Sequence, residues 1–331
     1  MSGLLSGGLW LARRLGLYAV AAWAAVTLGF ILPRLAPGDP AAALLARLQG
    51  KAGPEAIAAL RAGLGVSDAP LPRQYLDYLL ALFRGDLGLS VSRFPTPVTD
   101  LIGDALGWTV LLAGVSVTIS FALGAALGLA AAWRGGWLDT LVGPALTLLG
   151  AFPYFWLAMV ALHVFGFGLG WFPLRHAWDT SIAPAPTLAF GWGVVRHAAL
   201  PALTLVAASV GGWMLGMRNS AQAVLATDHV LLARARSLPT ARVLSAYVLR
   251  NALLPHLTGF GMALGFVVSG ALLTEVVFSY PGEGWLLVQA VRAQDYPLLQ
   301  GLVLAITLAV LFANAIVDVI TLVVDPRTRT A

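Results

Sequence analysis

The chain has 331 residues, 59% of them hydrophobic and only 11% charged, far below the roughly 25% charged content of soluble domains. It has no cysteine, which excludes disulfides, thiolate redox chemistry and Cys-ligated metals. Its 20 basic residues outnumber 15 acidic ones, but all the bases except Lys51 are arginines and many flank apolar spans, so they read as membrane-orienting charges and no nucleic-acid partner is expected.

Several uninterrupted apolar stretches reach the roughly 20 residues that a helix needs to cross a hydrocarbon core, and they lack the alternation of barrel strands. The expected class is therefore all-α, a polytopic protein embedded in the lipid bilayer. Six spans are drawn, over 12–32, 109–132, 139–165, 199–218, 256–274 and 298–323. The first follows Arg13 and Arg14 and has no convincing small-residue cleavage site, so it reads as a retained signal anchor over 1–32. Residues 33–108 carry seven acids and seven bases and read as a water-exposed external segment. Within it, PEAIAALRAGLGV reads as a short helix, with Pro54 near its start and Gly63 near its end. LPRQYLDYLLALFRGDLG shows helical spacing of Leu76, Leu79, Leu80 and Phe83, and this helix is expected to lie along the membrane surface or to cap the bundle. Residues 109–331 form a five-helix core. Glycine pairs four apart, Gly124 with Gly128, Gly212 with Gly216 and Gly261 with Gly265, would let helix backbones approach closely in lipid.

Six crossings place both termini on one side. Cytoplasmic termini assign Arg13, Arg14, Arg134, Arg218, Arg234, Arg236, Arg242, Arg250, Arg327 and Arg329 to that side, against Asp139, Asp228 and Asp325 outside the spans, which is the expected cytoplasmic excess of arginine. The longest cytoplasmic connection, 228–255, carries four of these arginines and one acid. It cannot lie in hydrocarbon, yet Leu231, Leu232, Leu238, Val243, Leu244 and Val248 give it apolar faces that some other surface is expected to receive.

Lys51 lies in no phosphate-binding loop, so the chain cannot supply its own ATP hydrolysis in that way. His163, His176, His197, His229 and His256 form no ligand pair, and no GxSxG elbow or carboxylate pair is visible. No catalytic residue, cofactor or metal is expected in this chain. The clear ionisable group inside a span is Asp318, with Asn314 one turn earlier on the same helix face. The pair could serve as a proton or cation relay, but an interhelical hydrogen-bonding role near the inner interface is favoured. Without an ATP site or an evident charged relay, the chain needs an external engine.

The chain resembles the permease subunits of ATP-binding-cassette importers, in their oligopeptide and dipeptide branch, over nearly its whole length. The resemblance rests on the order of LPRLAPGDP, GDLGLS with Pro97 and Val98 beyond it, AAWRGGWLD, the Phe152, Pro153, Phe155 and Trp156 cluster, EVVFSYPGEGWL, QDYPLLQG and NAIVDVITLVVDPRTR. It implies a non-enzymatic half of a translocation path in the inner membrane, paired with a second homologous permease, two ATPase subunits and an external solute-binding protein. It further implies that 228–255 contains the helix that docks in a groove of the ATPase, with Leu232, Ala233, Arg234, Ala235, Arg236, Ser237 and Leu238 as coupling residues. Two positions depart from the family pattern. Ser237 stands where glycine is usual, and Thr321 where tyrosine is common. Glycine reaches positive φ more readily than serine, so the turn before Pro239 is expected to differ in detail, with Pro239 opening the next helix and Ser237 available to cap it. An ion-coupled secondary transporter using Asp318 is the alternative. The solute stays open among peptides, nickel complexes, glutathione and oligosaccharides. Trp171, Trp178, Trp192, Trp285 and Tyr296 read first as interface anchors.

Overall fold

The structure, a computed structural model, describes residues 2–35 and 69–324. Apart from loops and one bridge between Leu89 and Pro97, the described chain is helical, which is how backbone in hydrocarbon satisfies its own hydrogen bonds. Helix α1 (Ser2–Leu35) is followed by α2 (Leu71–Phe83), α3 (Val98–Arg134), α4 (Leu138–Gly150) and α5 (Tyr154–Gly168). Then come α6 (Leu188–Leu225), α7 (Asp228–Ala235), α8 (Thr240–Arg242), α9 (Arg250–Phe278), α10 (Glu283–Ala293) and α11 (Tyr296–Val324).

Among the described residues four helical stretches are long and apolar enough to cross a membrane: Arg13–Ile31, Val98–Arg134, Leu188–Leu225 and Tyr296–Ile316. A fifth crossing arises if α4 and α5 count together. The continuous span expected over 139–165 is instead bent by 103° between them. Proline causes the break: Pro153 has no N–H to extend α4, and it turns extended (ψ 138°) before α5 starts at Tyr154. The span expected over 256–274 falls within α9, where the side chains at 258 and 265–270 lie outside the described residues. The helix expected over 54–66, Lys51, and the tail bearing Arg327 and Arg329 also lie outside them, as does the side chain of Thr321.

Two helices run well beyond the spans drawn from hydropathy. α3 starts at Val98 rather than 109, and α6 covers Leu188–Leu225 rather than 199–218. At 1.5 Å per residue each is about 55 Å long, against a hydrocarbon core of about 30 Å. Their extensions are stabilised at the ends. Thr187 Oγ1 accepts from the Phe190 N–H at 3.2 Å to cap α6, while Asp100 in the first turn and Arg134 in the last complement the dipole of α3. Gly135 and Gly136, both at positive φ (59° and 64°), then turn the chain, which explains the glycine pair of AAWRGGWLD.

The described chain divides into two units. One holds the described residues up to Trp108 together with Pro281–Phe312. Its core joins Val98, Leu101, Ile102 and Ala105 of α3 to Leu286 and Ala290 of α10 and to Leu298 and Leu302 of α11. A side chain on Gly301 would meet Ile102 Cδ1 at 3.0 Å, so α11 approaches α3 closely there. Beside this core, Asp295 is fully buried. Its Oδ2 accepts from Ser90 Oγ, from the Ser92 N–H at 2.8 Å and from Ser92 Oγ at 2.7 Å, while its Oδ1 accepts from the Leu298 N–H at 3.3 Å to cap α11. Two motifs that look independent in the sequence, GDLGLS and QDYPLLQG, thus meet in one buried clasp. Glu283, also buried, has its carboxyl pushed up from 4.5 to about 7 by desolvation.

The second unit comprises Thr109–Tyr280 and Ala313–Val324. Here α3 lies directly against α6, because side chains on Gly124 and Gly128 would strike Val210 O and the Arg218 N, each at 2.9 Å. Of the other glycine pairs, Gly216 faces the His256 ring and Gly212 open space, whereas Gly265 is among the residues whose surroundings are not described. Arg218 on α6 donates from Nε and from Nη2, the latter at 2.8 Å, to the two oxygens of the Asp139 carboxylate on α4, a bidentate tie between the two helices.

Candidate functional site

Eight residues are too few for an isolated helix to persist in water, so α7 depends on what it packs against. Val230 and Ala233, one turn apart, are buried with Met217 and Ala221 of α6 and with Val243, Val248 and Ala252 beyond the turn. Asp228 in its first turn and Arg234 in its last suit the helix dipole. The Arg234 guanidinium lies 4.5 Å from the centre of the Trp133 ring, a cation–π contact that fixes its position at the end of α3.

The turn after α7 settles the question raised by Ser237. Its φ is +54°, so the serine adopts the left-handed conformation that glycine would favour. The Ser237 N–H bonds Arg234 O at 2.9 Å and the Leu238 N–H reaches back to Ala233 O at 3.3 Å, the paired bonds of a Schellman C-cap. Leu238 packs against the cluster that holds Ala233, supplying the apolar contact that accompanies such caps. The expectation of an altered turn therefore gives way to the ordinary turn made with a strained residue. Two details are corrected. Pro239 is the cap residue before α8, not its first residue, and no side chain, that of Ser237 included, caps α8.

The apolar faces of 228–255 are also placed differently than expected. Val243 and Val248 are buried, and Leu238 packs with them, against the chain's own α6 and α3. Leu231 and Leu232 stay 51% and 56% exposed, beside exposed Arg234, Ala235, Arg236 and Ser237, with Arg242 and Arg250 exposed further on. Of the seven candidate coupling residues, Ala233 points inward and Leu238 is half-buried, so these two seat the turn while the other five form its outer surface. Sequence reasoning missed Val230, whose separation of three residues from Ala233 was the available signal. Asn314 and Asp318 lie one turn apart on α11, both half-buried. Among the aromatic residues, Trp171 and Trp192 are exposed and Trp178, Trp285 and Tyr296 half-buried. Trp171 packs near Phe165 at 5.8 Å between ring centres and Trp178 near Phe190 at 6.2 Å.

The short helix is thus seated on the chain's own core, with Leu231, Leu232, Arg234 and Arg236 turned outward. The family described as the binding-protein-dependent transport system inner membrane component matches residues 124–330, which include the whole of this surface. The chain belongs to this family. The permease is 38% identical over 305 residues to a protein of Brucella ovis provisionally named a peptide permease, with 91% of this chain and 92% of that one covered. It is 37% identical over 326 residues to the glutathione transport system permease protein GsiC of Salmonella typhimurium, covering 96% and 98% of the two chains. A similar relative in Brucella abortus, provisionally named a peptide transport system permease, shares 36% identity over 304 residues, 91% and 93% of the two chains. The permease is thus a non-catalytic, multi-pass inner-membrane component of an importer that works with a binding protein and an ATPase.

Proposed function

We propose that this permease forms one half of the translocation path for peptides or similar small solutes, paired with a second homologous permease, and that two ATPase subunits drive it through the outer surface of α7. The observation that carries this reading is the division of labour in the turn. Val230 and Ala233 tie it rigidly to α6 and α3, while Leu231, Leu232, Arg234 and Arg236 remain outside. A push received on that surface passes directly into two membrane-crossing helices instead of being absorbed in a loose loop. In this reading there are six crossings: the four single helices, the bent α4–α5 pair and α9. Both termini are then cytoplasmic, and so is α7, in keeping with its arginines. The names of the relatives speak for peptide-like cargo, glutathione being itself a tripeptide.

Arg234→Glu combined with Leu232→Asp is expected to abolish ATP-driven uptake into vesicles carrying the assembled transporter and to uncouple ATPase stimulation, with membrane insertion unchanged. Both side chains lie outside the core, so the cost in stability should stay at about 2 kcal/mol, from the lost contact of Arg234 with Trp133 and an acid at the helix C-terminus, and the variant should still fold and insert. Transport at the level of the unsubstituted protein would refute the coupling assignment.

A further inference from the structure

Helix α2 carries two contrasting faces and an edge between them. Towards α1 it presents Tyr75 and Tyr78. The Tyr75 hydroxyl lies 2.7 Å from Thr27 Oγ1, and the Phe30 ring packs against Tyr75 and Tyr78 at 5.1 and 5.5 Å between ring centres. Away from α1, Leu76, Leu80 and Phe83 stand 59%, 55% and 88% exposed. At 3.6 residues per turn these three fall within a stripe about 60° wide. The charged residues Arg73, Asp77 and Arg84, all exposed, line one edge of that stripe, and the tyrosines lie beyond its other edge. The order around the helix is therefore protein, apolar stripe, charge.

The level at which α2 sits says what the stripe meets. The apolar run of α1 closes at Leu32, just before Pro33 and Arg34, and α2 grips it at Thr27 and Phe30, within its last two turns. Leu28, beside the gripped Thr27, is itself exposed, as are Val20 and Trp23 earlier in the helix, an apolar side suited to lipid. A helix held at that height has hydrocarbon beneath it, α1 beside it and water above, the same sequence of surroundings as its three faces. Arg73 and Arg84, spaced along the charged edge, match the phosphates of the headgroup layer, and tyrosines are favoured at this depth.

We propose that α2 is an interfacial helix that seats Leu76, Leu80 and Phe83 at the boundary between phospholipid headgroups and acyl chains, at the C-terminal end of α1. This goes beyond the coupling surface and does not depend on it. It gives α2 a role in setting the height of the loop beyond it. The chain leaves α2 through Arg84 and Gly85 directly into the GDLGLS loop, whose Ser90 is clasped by Asp295. The lipid surface then anchors one end of that loop and the clasp the other.

The chain has no cysteine, so nitroxide labels can be placed singly at Leu76→Cys, Leu80→Cys, Phe83→Cys and Asp77→Cys. The full chain is reconstituted in nanodiscs of phosphatidylethanolamine and phosphatidylglycerol, and each label's collision rates with oxygen and with a water-soluble nickel chelate are compared. Labels at 76, 80 and 83 should favour oxygen and the label at 77 the nickel chelate, so that the logarithm of the ratio changes sign across one helix. Nickel access at all four positions would overturn the proposal by placing the stripe in water. Access to neither reagent at 76, 80 and 83 would also overturn it, by showing that protein covers the stripe, whether residues 36–68, a second copy or a partner. Leu76→Cys and Leu80→Cys, milder changes in volume than Phe83→Cys, read the same sign if Phe83→Cys disturbs the helix.

Discussion

The clasp at Asp295 and the turn around Ser237 both join stretches that are distant along the chain, and they do it in opposite ways. The clasp buries its charge completely and spends every carboxylate oxygen on a donor from within the protein. The turn buries aliphatic side chains and leaves its charges outside. A polar group satisfied internally has nothing left to offer a partner, whereas an apolar seat leaves the outer face of the same short helix available for one. Inward polarity therefore marks a place where the permease holds itself together, and outward polarity over an apolar seat is what the proposed coupling role of α7 requires.

The largest effect should come from breaking the clasp. Asp295→Ala removes the carboxylate acceptor of the buried Ser90 hydroxyl and of both Ser92 donors and uncaps α11, a cost on the order of 4 kcal/mol. The thermal midpoint of the purified protein measures it. A shift as small as that of an exposed substitution would mean that the clasp is ornamental and the contrast with the turn false. Next in size, neighbouring residues of α7 separate the two faces of the turn. Val230→Ala removes buried volume and should cost about 2 kcal/mol, while Leu231→Ala should stay within about 0.5 kcal/mol. Equal losses at the two positions would show that α7 is not seated as described.

A pH-dependent effect tests burial in the unit that contains the clasp. Glu283 has its pKa raised from 4.5 to about 7 by desolvation, so the folded chain holds this proton more tightly than the unfolded chain does. Its contribution is complete below pH 4.5 and is lost as the pH rises through 7. The thermal midpoint should therefore fall between about pH 5 and pH 8, and Glu283→Gln, which stays neutral, should flatten that fall. An unaltered slope in the variant would assign the pH dependence to other groups.

The contrast between clasp and turn was only partly legible in the amino-acid order. Membrane class and the positions of most spans were, because an apolar run of about 20 residues is a local, one-dimensional signal. The ends of α3 and α6 were not, since a helix may continue past the bilayer wherever a single residue such as Thr187 caps it. The bend at Pro153 was visible as a proline inside an apolar run, and reading that run as one crossing let hydropathy override backbone chemistry. The clasp joins residues 205 positions apart. Only one half of it could be anticipated, an aspartate just before a helix start. In 228–255 the arginines pointed to an outward surface, but the receiver of its valines could not be read, because Met217 and Ala221 belong to another helix. Where a motif resembles a family's, its chemistry is legible; which of its residues face inward is decided by neighbours elsewhere in the chain.

The finest distinction concerns Ser237 itself. Holding a non-glycine residue at φ +54° costs roughly 1 kcal/mol, and Ser237→Gly removes that strain while adding freedom to the unfolded chain worth about half as much. The net gain in stability should thus be positive and below about 1 kcal/mol, with uptake unchanged, because the backbone bonds from Ser237 to Arg234 and from Leu238 to Ala233 stay in place. Ser237→Ala keeps the strain and deletes only the hydroxyl, so it should leave both stability and uptake unaltered. Should uptake fall in the alanine and glycine variants alike while the thermal midpoint holds, the hydroxyl itself contacts the ATPase. The departure from glycine would then be part of the docking surface and not a tolerated strain in the frame that supports it.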